Sequence, residues 1–114
     1  MKRISTHVLD IAQGKPVKEM PVRLERRETS GNWLILASAR TDQDGRCGQL
    51  LPDDNRLAAG LYRLAFDTAS YFGGQKIEAL YPLVEVTFLV QNGEERFHIP
   101  LLLSPNGYTT YRGS

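Results

Sequence analysis

The residues of this chain that could do chemistry are two histidines, one arginine after a tight turn and the last four residues. His7 and His98 can accept and return a proton near neutral pH, because imidazole titrates there. Arg46 is permanently cationic and presents a planar fork of donors. The last nine residues, 106–114, alternate large and polar side chains almost to the end instead of fraying into small polar residues. We therefore interpret this ending as part of a site.

Both histidines lie in segments with the period-two alternation of β-strands, which places residues i and i+2 on one face. Phe97, Ile99 and Leu101 predict an inner face, and this turns His98 outward; Ile4 and Val8 do the same for His7. Each outer face also carries apolar residues: Leu9 on one, Pro100 and Leu102 on the other. Such faces indicate a buried interface or a lined cleft.

Other alternating segments predict the rest of the fold. Residues 20–24 and 33–39, with Trp33 and Ile35 facing inward, predict a hairpin closed by residues 29–32, and Asn92-Gly93 predicts a second hairpin that joins 84–90 to 97–103. Residues 41–45 form a turn before a short strand from Arg46, and Pro52 to Asn55 form a loop. Residues 104–107 turn into the last strand. Asp67 or Thr68 caps the single predicted helix, which ends at residues 73–74.

The predicted architecture is a single all-β domain over residues 1–114, an antiparallel two-sheet β-sandwich of seven to eight strands with one short helix. A chain of 114 residues suits one core. The net charge of +1 does not favour nucleic acid as a partner, and no stretch of ~18 apolar residues predicts a membrane span. One cysteine excludes an intrachain disulfide, which fits a reducing compartment, and no apolar signal segment follows the basic residues Lys2 and Arg3, so we expect a soluble cytoplasmic protein.

Motifs for cofactors are missing from the sequence. His7, His98 and Cys47 lack zinc-site spacing, and residues 42–45 lack the later ligands of a calcium loop, so we expect no metal and no cofactor. A glycine-rich phosphate loop and a G-x-S-x-G elbow are also absent. Each candidate has a plainer interpretation: outward histidines and Arg46 are usually solvated, and Cys47 usually packs as a small apolar residue.

Four sequence blocks in order resemble the transthyretin-related family, and specifically its 5-hydroxyisourate hydrolase branch. They are residues 5–16 (STHVLD and GKP), 41–46 (TDxDGR), 81–85 (YPLVE) and 98–105 (HIPLLLSP), followed by the ending YRGS that separates the hydrolases from transthyretin proper. One position departs from the pattern: many members have histidine where this chain has Arg96. Arg96 shares a face with His98. It would add positive charge at the mouth of the channel that the resemblance implies between subunits.

The resemblance implies a prealbumin-like sandwich of two four-stranded sheets, assembled as a homotetramer, a dimer of dimers with a channel between dimers. It implies hydrolysis of the small molecule 5-hydroxyisourate to 2-oxo-4-hydroxy-4-carboxy-5-ureidoimidazoline in urate degradation. His7, Arg46, His98 and Ser114 would be catalytic, and His7, Arg46 and Tyr111 would bind substrate. Which histidine is the base stays open, as does the choice between the Ser114 hydroxyl and the terminal carboxylate. A carrier of an aromatic ligand and a plain interaction module are the alternatives.

Overall fold

The computed structural model describes residues 2–52 and 57–114 of the chain. Asp53 to Asn55, in the predicted loop, lie outside the described residues. The described part contains nine strands and one helix: β1 (Arg3–Asp10), β2 (Lys15–Pro16), β3 (Pro21–Arg27), β4 (Trp33–Arg40), β5 (Arg46–Cys47), β6 (Gly60–Phe66), α1 (Thr68–Gly74), β7 (Val84–Val90), β8 (Arg96–Ser104) and β9 (Gly107–Thr110).

The strands form two sheets, which confirms the all-β two-sheet fold. Sheet I has the order β2-β1-β8-β9, with β5 also paired to β1, and sheet II has the order β4-β3-β6-β7. The expected division into four and four strands is therefore wrong, because sheet I has five. The described strands exceed the expected seven to eight because β2 and β5 have only two residues each. Both are short partners added along β1 at turns of the chain.

A hydrophobic core fills the space between the sheets. Its largest fully buried side chains include Tyr62, Phe66 and Phe72, and the rings of Phe88 and Phe97 meet across the sheets at 5.5 Å. Each fully buried side chain of this size contributes about 1.5–3 kcal/mol relative to exposure. The core thus fixes the inner faces of both sheets, and with them the outer faces that carry polar side chains.

The sequence predicts a wholly antiparallel sandwich, but β1 and β8 run parallel. Their register pairs Ser5 with His98 and His7 with Pro100. Parallel neighbours need a long connection, whereas a tight turn forces antiparallel pairing. Here the connection runs through all of sheet II, so no turn dictates the direction. The pairing brings residues near the two ends of the sequence side by side.

The hairpin predicted at Asn92-Gly93 is wrong. β7 pairs with β6, and β8 pairs with β1 and β9, so the turn carries the chain from sheet II to sheet I. The amide of Glu94 donates to the carbonyl of Gln91 in this turn, at 3.2 Å. Both flanking strands have one apolar face, and these faces bury more surface by facing each other across the core than by lying side by side.

The predicted hairpin of β3 and β4 is confirmed, but the inner face of β4 is not the one expected. Leu24 pairs with Ala37 while Glu25 pairs with Ile35, so Leu36 is an extra residue in a β-bulge. A bulge shifts the alternation by one position. Ile35, which was expected to face inward, is consequently 54% exposed, whereas Leu36 and Ala37 pack against the core.

The predicted short helix is confirmed as α1. The Asp67 carboxylate caps it by accepting from the amide of Ser70 at 3.1 Å, and the helix continues to Gly74. The hydroxyl of Tyr71 donates to the buried carboxylate of Asp10 at 2.7 Å, which ties the helix to the end of β1. Among the described residues, no helix is long and apolar enough to cross a bilayer.

Candidate active site

His98 lies at the centre of the site because three segments meet around it. It stands on β8, its register neighbour on β1 is Ser5, and the chain after β9 returns to form a single bridge between His98 and Gly113. Phe97 and Ile99 on either side belong to the core. The side chain of His98 therefore points to the outer face of sheet I, as the alternation predicted.

The ring of His98 is held by Ser5, and its backbone is held by the terminal segment. The hydroxyl oxygen of Ser5 lies 2.9 Å from Nδ1, and the amide of Gly113 donates to the carbonyl of His98 at 2.7 Å. A β-carbon built on Gly113 would lie 2.6 Å from Cδ2 of the ring. Only glycine allows the terminal segment to approach His98 this closely.

The predicted turn at residues 41–45 is confirmed, and it positions Arg46. One carboxylate oxygen of Asp42 accepts from the amides of Asp44 at 2.8 Å and Arg46 at 2.9 Å. Gly45 has a φ of +79°, and a β-carbon there would collide with the carbonyl of Val8. The turn therefore packs directly on β1, where Arg46 pairs with His7. Paired residues share a face of the sheet, so both side chains lie on the outer side.

His7 is also held by this turn. Its Nε2 lies 2.8 Å from the carbonyl oxygen of Asp44. A carbonyl oxygen only accepts, so Nε2 of His7 carries a proton and donates it. In the neutral ring the lone pair is then on Nδ1. His7 thus has one nitrogen committed to the protein backbone.

A cavity of about 390 Å³ opens on the outer face of sheet I. Three of the predicted site residues line it: Arg46, His98 and Ser114. His7 stands beside Arg46, next to the residues that line the cavity. The full lining consists of Arg3, Ser5, Thr6, Arg46, Gly48, Arg96, Phe97, His98, Gly113 and Ser114. The cavity is strongly cationic, since three of these residues are arginines, and Arg96 is among them, as its shared face with His98 predicted.

Burial lowers the pKa of His98 from its ordinary value of 6.5, and the charges of Arg46 and His7 lower it further. At neutral pH the ring is therefore uncharged and can accept a proton. The backbone amide of Arg46 is the largest cause that lowers the pKa of Asp42, which keeps that carboxylate ionised in the turn. The cavity thus combines a neutral base with fixed cations.

Cys47, next to Arg46, does not belong to this chemistry. Its side chain points to the core and is 6% exposed. Burial raises the pKa of its thiol to about 11, and the charge of Asp42 raises it as well. The thiol stays protonated at neutral pH and is a poor nucleophile. Over residues 2–52 and 57–114, no three His, Cys, Asp or Glu side chains cluster in a way that could hold a metal ion.

Within one chain, Tyr111 does not reach the cavity. β9 ends at Thr110, and Tyr111 is 54% exposed in a separate groove of about 200 Å³ with Leu89 and Phe97. Arg112 fastens the segment by an ion pair with Glu94 at 3.0 Å and lies over the ring of Phe97 at 4.4 Å. The four last residues are therefore split: Gly113 and Ser114 turn to His98, and Tyr111 turns to the open edge of the sandwich.

Sequence reasoning did not single out several residues of the site. Ser5 and Gly113 contact His98 directly, Gly48 and Arg3 line the cavity, and the carbonyl of Asp44 binds His7. Ser5 is two residues before His7 and so shares its face of β1, but only the parallel register of β1 and β8 sets it against His98. Gly113 could be found only as a member of the terminal segment, because nothing in the sequence indicates its contact with His98.

Comparison with known proteins gives a consistent result. Residues 4–113 match the sequence profile of the HIUase/Transthyretin family. A 5-hydroxyisourate hydrolase of Mus musculus is 45% identical over 112 residues, which covers 97% of this chain and 94% of that protein. The solved structure of Klebsiella pneumoniae 5-hydroxyisourate hydrolase has a TM-score of 0.86 and 34% identity, with full coverage of both chains. Transthyretin from Sparus aurata has a TM-score of 0.90 and 28% identity, covering 99% of this chain and 97% of that one.

Proposed function

The chain belongs to the HIUase/transthyretin family, and we propose that it is an enzyme that hydrolyses 5-hydroxyisourate to 2-oxo-4-hydroxy-4-carboxy-5-ureidoimidazoline in urate degradation. The observation that carries this proposal is the uncharged His98 in a cavity with Arg46 and Ser114. The relatives named as hydrolases, with up to 45% identity among those reported above, support the same activity. The polar, cationic lining suits a hydrolase better than a carrier of an apolar ligand.

The reaction adds water to a ring carbonyl and breaks the ring C–N bond. We assign the role of base to His98, because Nε2 of His7 already donates to the carbonyl of Asp44. His98 takes a proton from water as the new C–O bond forms, and returns it to the ring nitrogen that leaves. A carboxylic acid and an N–H group result, and the acid then releases its proton to solvent to become the carboxylate, so atoms and charge balance. In this proposal His98, and not His7, accepts the proton from water.

Arg46 and His7 have complementary roles in this scheme. The guanidinium of Arg46 stabilises the negative charge that develops on the carbonyl oxygen during water attack. His7 pairs with Arg46 in the sheet and its ring is held by the carbonyl of Asp44, so we assign it to binding the substrate edge beside the guanidinium. Ser114 lines the cavity and can orient substrate or water through its hydroxyl or a terminal carboxylate.

Tyr111 is assigned to substrate binding in a neighbouring subunit of a homotetramer. Its ring is half exposed and lies with the exposed Leu89 at the edge where β7 and β9 end their sheets. Association through such an edge would cover both side chains and carry Tyr111 towards a channel between subunits. We propose a dimer of dimers, with the small molecule 5-hydroxyisourate as the partner, a single domain over residues 1–114 and a cytoplasmic location.

The direct test is to generate 5-hydroxyisourate in situ and follow its ultraviolet absorbance with and without the protein. We expect decay to accelerate with wild-type protein and to return to the spontaneous rate with His98→Asn. Deletion of residues 111–114 should have the same effect on the decay rate, while gel filtration of His98→Asn still shows a tetramer. Wild-type decay no faster than in buffer would refute the activity, and a monomer in gel filtration would refute the assembly.

A further inference from the structure

The hydrogen bond between Ser5 and His98 determines which ring nitrogen is available for chemistry. Ser5 Oγ lies 2.9 Å from Nδ1, and no hydrogen-bond partner of Nε2 is found within the described ranges. His98 lines the cavity, so Nε2 is the nitrogen that can meet water or substrate. Ser5 is only 9% exposed, and its strand is locked to β8 by the parallel register. The contact is therefore built into the sheet.

A serine hydroxyl has one proton and two lone pairs, so it can either donate to Nδ1 or accept from Nδ1–H. The carbonyl oxygen of Phe97 lies 3.5 Å from Ser5 Oγ and can only accept. If the Ser5 proton points to Phe97, the lone pairs of Ser5 face His98. A neutral His98 then carries its proton on Nδ1 and its lone pair on Nε2.

We propose that Ser5 is a positioning residue, whose hydroxyl accepts the Nδ1 proton of His98 and so leaves the basic lone pair on Nε2. This inference rests on the proposed function, since it concerns the base of that reaction. The arrangement needs no change when His98 takes up a proton, because Nδ1–H donates to Ser5 in both the neutral and the charged ring. A donating Ser5 would have to rotate at that step.

Removing the Ser5 hydroxyl changes the pKa of His98 in one direction if Ser5 accepts and in the opposite direction if it donates, so an experiment can tell the two apart. An accepting Ser5 stabilises the imidazolium, so Ser5→Ala should lower the pKa of His98 further and move the acid limb of kcat/KM to lower pH. A donating Ser5 stabilises the neutral ring, and its removal would move that limb to higher pH. The other charged or titratable groups around His98 are His7, Arg3, Arg46, Arg96 and the carboxylate that Ser114 carries if the chain ends there; these stay the same in both cases.

Loss of one hydrogen bond to a group that becomes charged should lower kcat about ten- to hundredfold in Ser5→Ala, with a smaller change in KM. Ser5→Thr keeps the hydroxyl and should recover most of the rate. Ser38→Ala, on the exposed part of β4, removes a serine hydroxyl far from the cavity and serves as the matched control. Unchanged kcat in a folded Ser5→Ala protein would overturn the proposal.

A second measurement needs neither the Ser5→Ala variant nor the hydrolysis reaction. The chain has two histidines, so ¹⁵N NMR of the wild-type imidazoles can be assigned with the single variant His98→Asn. Above the pKa of His98, we expect its Nδ1 to be protonated and its Nε2 unprotonated. The reverse pattern overturns the role of Ser5 even if hydrolysis is confirmed. Absence of hydrolysis would refute the proposed function, while the tautomer would still report on the hydrogen bond.

Discussion

The contact between Gly113 and His98 makes a sharp prediction for the substitution Gly113→Ala. A β-carbon at position 113 would lie 2.6 Å from Cδ2 of His98, about 1 Å closer than carbon atoms normally approach. The ring cannot simply yield, because Nδ1 is bound to Ser5 and the backbone of His98 is bound to Gly113. Either the imidazole moves by about 1 Å or the terminal segment detaches. Both outcomes displace His98, the proposed base.

A misplacement of this size in an active site costs on the order of 100-fold in rate, so we expect kcat of Gly113→Ala to fall by about that factor. The stability effect should be small, because only about one hydrogen bond, ~1 kcal/mol, is at stake. For a domain near this size, that lowers Tm by less than about 8 °C. The assay combines absorbance kinetics on substrate generated in situ with thermal unfolding followed by circular dichroism.

Gly73→Ala is the matched control, since a β-carbon at that position of α1 has no neighbour within 4 Å. We expect this variant to keep wild-type kinetics and to unfold at the same or a slightly higher temperature, as alanine favours helix. Wild-type activity in Gly113→Ala would show that the close approach of the terminal segment does not position His98. Global unfolding of Gly113→Ala would show that the terminal segment stabilises the sandwich far more than its contacts suggest.

Three further predictions concern the charges and the thiol near the cavity. Because the pKa of His98 is lowered below 6.5 and the neutral ring is the base, kcat/KM should be flat above that pH and fall only below it; a decline that begins well above pH 6.5 would argue against His98. Arg96→Gln removes one of three cavity guanidiniums, so inhibition by the carboxylate product should weaken about two- to fivefold, as for an exposed charge, and 0.5 M salt should abolish the difference between variant and wild type. Cys47, with a pKa of about 11 and a buried side chain, should resist iodoacetamide at pH 8 in the folded protein and react after denaturation; rapid labelling of the native protein would contradict its placement in the core.

Local patterns were enough to predict the strands that carry the site. The alternation around Phe97 and Ile99 correctly turned His98 outward, and the composition of residues 41–45 correctly predicted the turn before Arg46. These features depend on neighbours within a few residues, where period and turn chemistry act directly. The same holds for the helix capped by Asp67.

Features that depend on distant residues were not predictable in this way. The turn at Asn92-Gly93 has the composition of a hairpin, but burial of two apolar faces sends its strands to different sheets. The bulge at Leu36 turned Ile35 to the outer face. It could not be predicted, because an extra residue leaves no local signature in an apolar run. Ser5 could be assigned to His98 only once the parallel pairing was known. Tyr111 was grouped with the cavity by its sequence position, although within one chain it lies elsewhere.

The parallel pairing of β1 with β8 also has a consequence for how the protein is made. Ser5 and His98 are 93 residues apart, and synthesis at ~5–20 residues per second separates them by roughly 5–20 s. During that interval β1 lacks β8, the neighbour that completes its sheet. Contacts between residues so far apart in the sequence also form slowly. His98, Ser5 and the segment that closes over them therefore come together only after β8 and β9 have been made, so a nascent chain should have no catalytic competence until those strands have docked.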